Sequence, residues 1–336
     1  MLRASDVPLV DRYDLAMLDL DGVVYIGDHA VPGAAQAIAA ARSHGVAVAF
    51  VTNNAARPPA AVAGHLTRIG VEAAPRDVVT SSQAAARLVR ERWGAGSRIF
   101  LCGGPGVESA LLAEGLVPTV EPAEAVAVVT GYGPELPWHR ILEAAILVKA
   151  GLPWVATNAD MTIPTSAGVG PGHGAVVRLI EEFSSVRAEV AGKPERPLLD
   201  ETIRRVGGRR PLMVGDRLDT DIEGAHNAGL DSLLVLTGVS GLADLVVAPP
   251  ELRPTYLAED LGGLLVSHPP TQRGAEGRFT CGGWTAHVEE GQVTLAGAGS
   301  RVDCWRSVVG AAWHHLDATG SPVLLPEAVR SVALAP

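Results

Sequence analysis

From residue 15 onward the chain alternates short apolar runs with longer, alanine-rich amphipathic stretches. Leu15–Leu20 and Val46–Val51 read as buried strands, and Pro32–Gly45 and Pro58–Gly70 as the helices that follow them, each opening on proline and closing on glycine. The rhythm returns late in the chain. A helix closes over Thr202–Val206, Pro211–Val214 predicts a strand, Thr220–Gly229 a helix and Ser232–Leu236 a strand. Strands separated by helices argue for a doubly wound parallel α/β sheet. Residues 82–190 have an alternation of their own. Strands are expected at Arg98–Leu101, Val126–Thr130 and Trp154–Thr157, and helices at Trp138–Ala150 and Gly174–Phe183. A segment this long between two halves of one pattern reads as an inserted α/β domain. The expected organisation is a core of residues 1–81 and 191–267, an insert of 82–190, and a small α+β unit of 268–336. In that last unit Thr280–His287 and Gln292–Leu295 predict a hairpin around Glu289–Gly291, Val302–Leu316 a helix, and Val323–Leu325 a final strand.

Composition narrows the function. With 336 residues, 47% of them hydrophobic, the chain has material for two domains and a buried core. Its formal net charge of −10 disfavours binding to nucleic acid or an anionic membrane through a general field. Phosphate would have to be met by a local site or a metal ion. Cys102, Cys281 and Cys304 are too few and too scattered for a disulfide framework or a zinc site, so a reducing cytoplasm is expected. No apolar run of about 18 residues predicts a membrane span.

Four polar clusters sit beside predicted strands, where open α/β sheets bind ligands. Asp19-Leu20-Asp21-Gly22 follows the first strand and offers a nucleophile and an acid/base; it also reads as an Asp-Gly turn. Thr52-Asn53-Asn54 offers a hydroxyl, a backbone N–H and a carboxamide to phosphate oxygens, although the same residue types cap helices. Gly192-Lys193-Pro194 carries one of only two lysines in an arginine-rich chain, a point charge suited to phosphate or a surface lysine ahead of a helix starting at Pro194. The loop Gly215–Asp221 contains Asp216, Asp219 and Asp221, hard oxygen donors of the kind Mg²⁺ prefers. Each signal alone is modest. Together they form a kit for phosphoryl transfer, in which positioning and charge neutralisation dominate.

The order D-L-D-G, T-N-N, G-K-P and G-D-x-x-x-x-D resembles the four motifs of the haloacid dehalogenase-like phosphatases. Within them the insert resembles the C2-type cap of the NagD-like, 4-nitrophenylphosphatase-type branch, through Thr80-Ser81-Ser82, Thr157-Asn158-Ala159-Asp160, Pro164 and Pro171-Gly172-His173-Gly174. The likeness runs from about Tyr13 to Leu265. It is greatest to actinobacterial glycerol-3-phosphate phosphatases, with phosphoglycolate phosphatases next. The resemblance implies an Asp19 nucleophile forming an aspartyl-phosphate and an Asp21 acid/base. It implies Mg²⁺ held by Asp19, the Asp21 backbone carbonyl and Asp216, with Asp221 orienting the metal's waters. Thr52, Asn53, Asn54 and Lys193 would bind the phosphoryl group, and Asn158 and Asp160 would help shape a cap pocket. Asp21 favours phosphomonoester hydrolysis over carbon–halogen chemistry, because the dehalogenase branch lacks that acid/base. A cap over the site implies a small phosphorylated metabolite as substrate. Thr130-Gly131-Tyr132-Gly133-Pro134 departs from the pattern in lacking an early acidic residue.

The expected protein is thus a cytoplasmic Mg²⁺-dependent phosphatase, monomer or homo-oligomer, with no nucleic-acid or membrane partner. Its rivals are a phosphoacceptor signalling module, a dinucleotide-binding enzyme lacking its glycine fingerprint, and a phosphate-binding regulator. Three further motifs are read as structural. Cys102–Gly106 lacks the lysine of a phosphate-binding loop, and adjacent His314 and His315 point to different helix faces. Ala296–Gly299 could cradle a pyrophosphate before a helix, but the tail only faintly resembles a truncated acetyltransferase (GNAT-like) fold, so a structural or docking role is expected of it.

Overall fold

The computed structural model describes residues 1–165 and 168–334. The chain divides into two units, residues 1–48 with 208–336 and residues 49–207. In the first, parallel strands run in the order Tyr256–Ala258, Asp231–Val235, Pro211–Gly215, Leu15–Leu18. Leu15–Leu18 is buried at every position, as expected of a strand covered on both faces. The helix after Pro211–Gly215 arrives differently from the expectation. Leu218–Ile222 winds as a single π-helical turn before the α-helix Glu223–Ala228. Such turns are rare and concentrate at functional sites.

The tail belongs to the same unit. Strands Gln272–Arg273, Phe279–Cys281, Trp284–Glu289 and Gln292–Gly297 form an antiparallel sheet. The expected strand Thr280–His287 is therefore two strands. Gly282-Gly283 is a two-residue hairpin loop between Cys281 and Trp284, with Gly282 in the left-handed region. Val323–Leu325 is not a strand either. It contributes one bridge, Leu324 to Gln292, because Pro322 and Pro326 remove the donors a longer ladder needs. A helix at Glu327–Leu334 follows that was not anticipated. The long helix Arg301–Thr319 lies on the sheet and buries Trp305, Val308, Val309 and Trp313 in one cluster with Leu234, Leu245 and Leu257. Burial of each large apolar side chain stabilises by about 1.5–3 kcal/mol, so the tail shares a core with the parallel strands. The Trp313 indole N–H donates to the Leu245 carbonyl at 2.6 Å, and Arg253 forks onto the Asp317 carboxylate at 2.7 and 2.8 Å.

In the second unit Ala47–Thr52, the strand in which the division falls, pairs in parallel with Val78–Thr80. A five-stranded parallel sheet follows, ordered Glu189–Val190, Trp154–Ala156, Ala127–Thr130, Arg98–Cys102, Val117–Thr119. Helices Trp138–Lys149 and His173–Ser184 pack on it around Phe100, Val128, Ile141, Val177 and Ile180. A small hairpin, Thr162–Thr165 with Gly168–Pro171, stands beside this sheet in the sequence. Among the described residues, no helix is long and apolar enough to cross a membrane.

Candidate active site

Parallel register determines where the first carboxylates meet. Leu18 pairs with Val214, and the Asp19 N–H continues the ladder to the Val214 carbonyl at 2.9 Å. Asp19 and Asp216 therefore leave neighbouring strands at the same end. The π-helical turn brings Asp221 back towards them, where its Oδ2 accepts the backbone N–H groups of Asp216 and Arg217 at 3.2 and 3.1 Å. Oxygens of Asp19, Asp216 and Asp221 lie within 4.8 Å of one another, with Asp216 and Asp221 buried. Three close carboxylates repel unless a cation or protons intervene, and an all-oxygen set of this kind suits a hard divalent ion. Asp219, the third carboxylate of the loop, turns out to solvent and pairs with Arg217 at 2.7 Å.

Glycine surrounds Asp216. A Cβ at Gly22, whose φ is +83°, would lie 2.5 Å from Asp216 Oδ2, and one at Gly238 would lie 1.9 Å from it. The Val239 N–H donates to that same oxygen at 2.7 Å, and the Thr237 hydroxyl donates to the Gly22 carbonyl at 2.5 Å. Residues 237–239 were missed from the sequence, although they follow a strand end like the four clusters that were found. Asp21 stands exposed in the turn after the first strand, and the Tyr25 hydroxyl donates to its Oδ2 at 3.4 Å.

The second unit assembles the other two clusters. Thr52 and Asn53 end their strand buried, and Lys193 is 2% exposed. Thr52 Oγ1 accepts the Asn54 N–H at 3.1 Å, which leaves its own O–H to donate. The Asn54 side chain closes the loop by accepting the Ala56 N–H at 3.0 Å. Asn53 grips Lys193 by its backbone: Oδ1 accepts the Lys193 N–H at 2.8 Å and Nδ2 donates to the Lys193 carbonyl at 2.9 Å. The remaining Nδ2 hydrogen goes to Asp160 Oδ1 at 3.0 Å. Buried Ser81 and Asn158 donate to the Asn53 carbonyl, each at 2.7 Å. Gly192 is required by this approach, because a Cβ there would come within 2.6 Å of Asn53 Oδ1. A desolvated ammonium interacts with an anion far more strongly than one in water, so a buried lysine suits a phosphate. Its helix starts at Pro197, beyond the Pro194 considered from the sequence.

The motifs read as structural have structural surroundings. Gly106 packs on the Ala55–Arg57 backbone, where a Cβ would meet the Ala55 carbonyl oxygen at 2.3 Å. His314 Nε2 lies 3.0 Å from Arg273 Nη2, and Asp317 is taken by Arg253. The space beside Gly297 is filled by the Gly283 carbonyl, and the following helix is capped by Ser300.

Comparison with known proteins bears on both units. A family model described as haloacid dehalogenase-like hydrolase matches residues 16–117, and a second, HAD-hydrolase-like model matches residues 190–264. The chain is 38% identical over 315 residues to a D-glycerol 3-phosphate phosphatase of Mycobacterium tuberculosis, covering 91% of this chain and 87% of that one. It is 34% identical over 253 residues to an acid sugar phosphatase of Staphylococcus aureus, covering 74% and 96%. Among solved structures, a glycerol phosphate phosphatase from M. tuberculosis in complex with magnesium superposes with a TM-score of 0.86 at 36% identity, over 97% of this chain and 98% of that one. A 4-nitrophenylphosphatase from Thermotoga maritima superposes with a TM-score of 0.71 at 31% identity, over 76% of this chain and 98% of its own.

Proposed function

This chain belongs to the haloacid dehalogenase-like hydrolases, and on that premise we propose that it hydrolyses glycerol 3-phosphate to glycerol and phosphate. It is a phosphomonoesterase with Mg²⁺ as its cofactor. The observation that carries this reading is the cluster of Asp19, Asp216 and Asp221 at one end of the parallel strands. The substrate is supported by the match to a glycerol phosphate phosphatase over 97% of this chain, where the 4-nitrophenylphosphatase match leaves about a quarter uncovered.

Roles are assigned residue by residue. An Asp19 carboxylate oxygen attacks phosphorus, the ester P–O bond breaks, and Asp21 gives its proton to the departing alkoxide. Asp21 then takes a proton from water, which attacks the aspartyl-phosphate, releasing phosphate and restoring the Asp19 carboxylate. The Asp19 and Asp216 carboxylates and the Asp21 carbonyl would hold Mg²⁺, with Asp221 set behind them. When bound, the ion neutralises charge on the phosphoryl oxygens. Thr52, Asn53, Asn54 and Lys193 are assigned to those oxygens, and Asn158 and Asp160 to the pocket of the cap.

We read residues 1–81 and 191–267 as the catalytic core and 82–190 as the cap. Residues 268–336 form a structural appendage, a role supported by the tail's continuous core with the parallel strands. A cytoplasmic location is supported by the free, buried thiols of Cys102, Cys281 and Cys304. The ligand in this reading is a small phosphorylated metabolite.

The test is kcat/KM with Mg²⁺ for glycerol 3-phosphate, phosphoglycolate and 4-nitrophenyl phosphate. Glycerol 3-phosphate should lead; a lead for phosphoglycolate would reassign the substrate, and no turnover of any ester would make the protein a phosphate-binding regulator. Asp19→Asn should lower turnover by at least about 10³-fold with the fold intact, since it removes the nucleophile and no core packing. Near-normal activity in that variant would refute the covalent mechanism.

A further inference from the structure

Asp160 is assigned above to the pocket of the cap. Its hydrogen bonds include ones to Asn53 and Asn158. A side-chain amide has two N–H donors and one carbonyl acceptor, and Asn53 spends all of them locally. One hydrogen goes to the Lys193 carbonyl, the other to Asp160 Oδ1, and Oδ1 receives the Lys193 N–H. A carboxylate can only accept, so Asp160 requires the Nδ2 end of the amide to face it. This sets the amide in the one orientation that satisfies both backbone groups of Lys193. Asp160 is itself held, since its N–H donates to Asn158 Oδ1 at 3.2 Å while Asn158 Nδ2 donates to the Asn53 carbonyl. The ring of bonds leads from Asp160 through Asn53 to the lysine backbone.

We infer that Asp160 is a positioning residue, which fixes the Asn53 carboxamide and through it the Lys193 backbone, and that it does not select the alcohol part of the substrate. The inference builds on the assignment of Lys193 to the phosphoryl group. It has a signature that a specificity residue would not share. A group acting through Lys193 affects every ligand with a phosphoryl group alike, including inorganic phosphate, which has no alcohol part.

The experiment uses the full chain and measures kcat and KM for glycerol 3-phosphate and 4-nitrophenyl phosphate, and Ki for inorganic phosphate. Asp160→Ala should weaken all three ligands by the same factor, about tenfold, the scale at which supporting groups act on the ligands they orient. Asp160→Asn keeps a carbonyl acceptor for Nδ2 and should recover to within about threefold of wild type. In an Asn53→Ala background Asp160→Ala should add less than about twofold, because coupled residues are not additive. A loss confined to glycerol 3-phosphate, or a full tenfold loss in the Asn53→Ala background, would overturn the inference and leave the lysine assignment standing. Lys193→Ala with an unchanged Ki for phosphate would overturn the assignment itself and the inference with it. Thermal unfolding of each variant separates misfolding from misplacement; if Asp160→Ala does not fold, the Asp160→Asn and Asn53→Ser variants carry the same comparison of three ligands.

Discussion

Gly238→Ala tests the proposed Mg²⁺ assignment of Asp19, Asp216 and Asp221 without touching a carboxylate. Gly238 lies outside the left-handed region, so alanine is tolerated by the backbone and its effect is steric. The added methyl would sit 1.9 Å from Asp216 Oδ2 and 2.4 Å from Asp216 Cγ. An ordinary carbon–oxygen contact is about 3.3 Å, so the carboxylate or the loop must yield by more than about 1 Å. The carboxylate has little room to do so. Asp216 is fully buried, its Oδ2 is tied to the Val239 N–H, and the Gly22 side is closed to even one methyl. Moving a metal ligand's support on this scale costs about 10–100-fold in metal affinity, and a 1 Å misplacement near the chemistry about 10²-fold in rate. The overpacking itself costs about 1–3 kcal/mol of stability. Two assays separate these effects: initial velocity against Mg²⁺ concentration at saturating substrate, and unfolding monitored in chelator. The expected result is a Mg²⁺ activation constant raised about 10–100-fold in a protein that still folds. An activation constant within about twofold of wild type, with the fold intact, would refute the claim that Asp216 is a metal ligand held in place by the glycines around it.

Gly64→Ala is the matching control, since Gly64 lies inside the helix Pro59–Arg68 and a Cβ there meets only Arg68 Nη1, at 3.8 Å. It should stabilise by about 0.5–1 kcal/mol, read as a higher denaturant midpoint, and leave kcat/KM unchanged. His173 supplies a pH dependence: burial pushes its pKa down to about 4, against a hydrogen bond to Thr130 that acts the other way. Its folded pKa is below the unfolded value near 6.5, so the unfolded state takes up the proton first and stability falls as pH drops from about 6.5 towards 4. Between pH 7 and pH 5 the loss attributable to His173 is about 2 kcal/mol, and His173→Gln should flatten urea midpoints across that interval; an unchanged slope would show that the ring is protonated in the native protein.

Much of the architecture was legible because it follows from local rules. The strand Leu15–Leu18 and the helix Ala34–Ser43 appear within their expected bounds, trimmed at the ends where Asp19 and Gly45 leave regular geometry. The errors arose where a single residue overrides periodicity. Gly282-Gly283 splits an apparently continuous strand, and two prolines reduce Val323–Leu325 to a bridge. The convergence of the carboxylates was legible for a different reason. Asp19 and Asp216 each stand immediately after a strand, and parallel neighbours bring equivalent ends together however many residues separate them.

The part of the site that was not legible consists of side chains that hold backbone. Asn53 was assigned to phosphate through its N–H, and nothing in its neighbourhood signals that its carboxamide serves Lys193, 140 residues away. Such a contact leaves no period, since one amide satisfies one peptide unit. Gly192 was the nearest available clue. A glycine directly before a buried lysine marks a place where another group must come close to the chain, and here that group is Asn53 Oδ1. Gly22 and Gly238 carry the same information about Asp216. In this protein the polar residues of the strand ends mark the proposed chemistry, and the glycines beside them mark which groups come close enough to hold it in place.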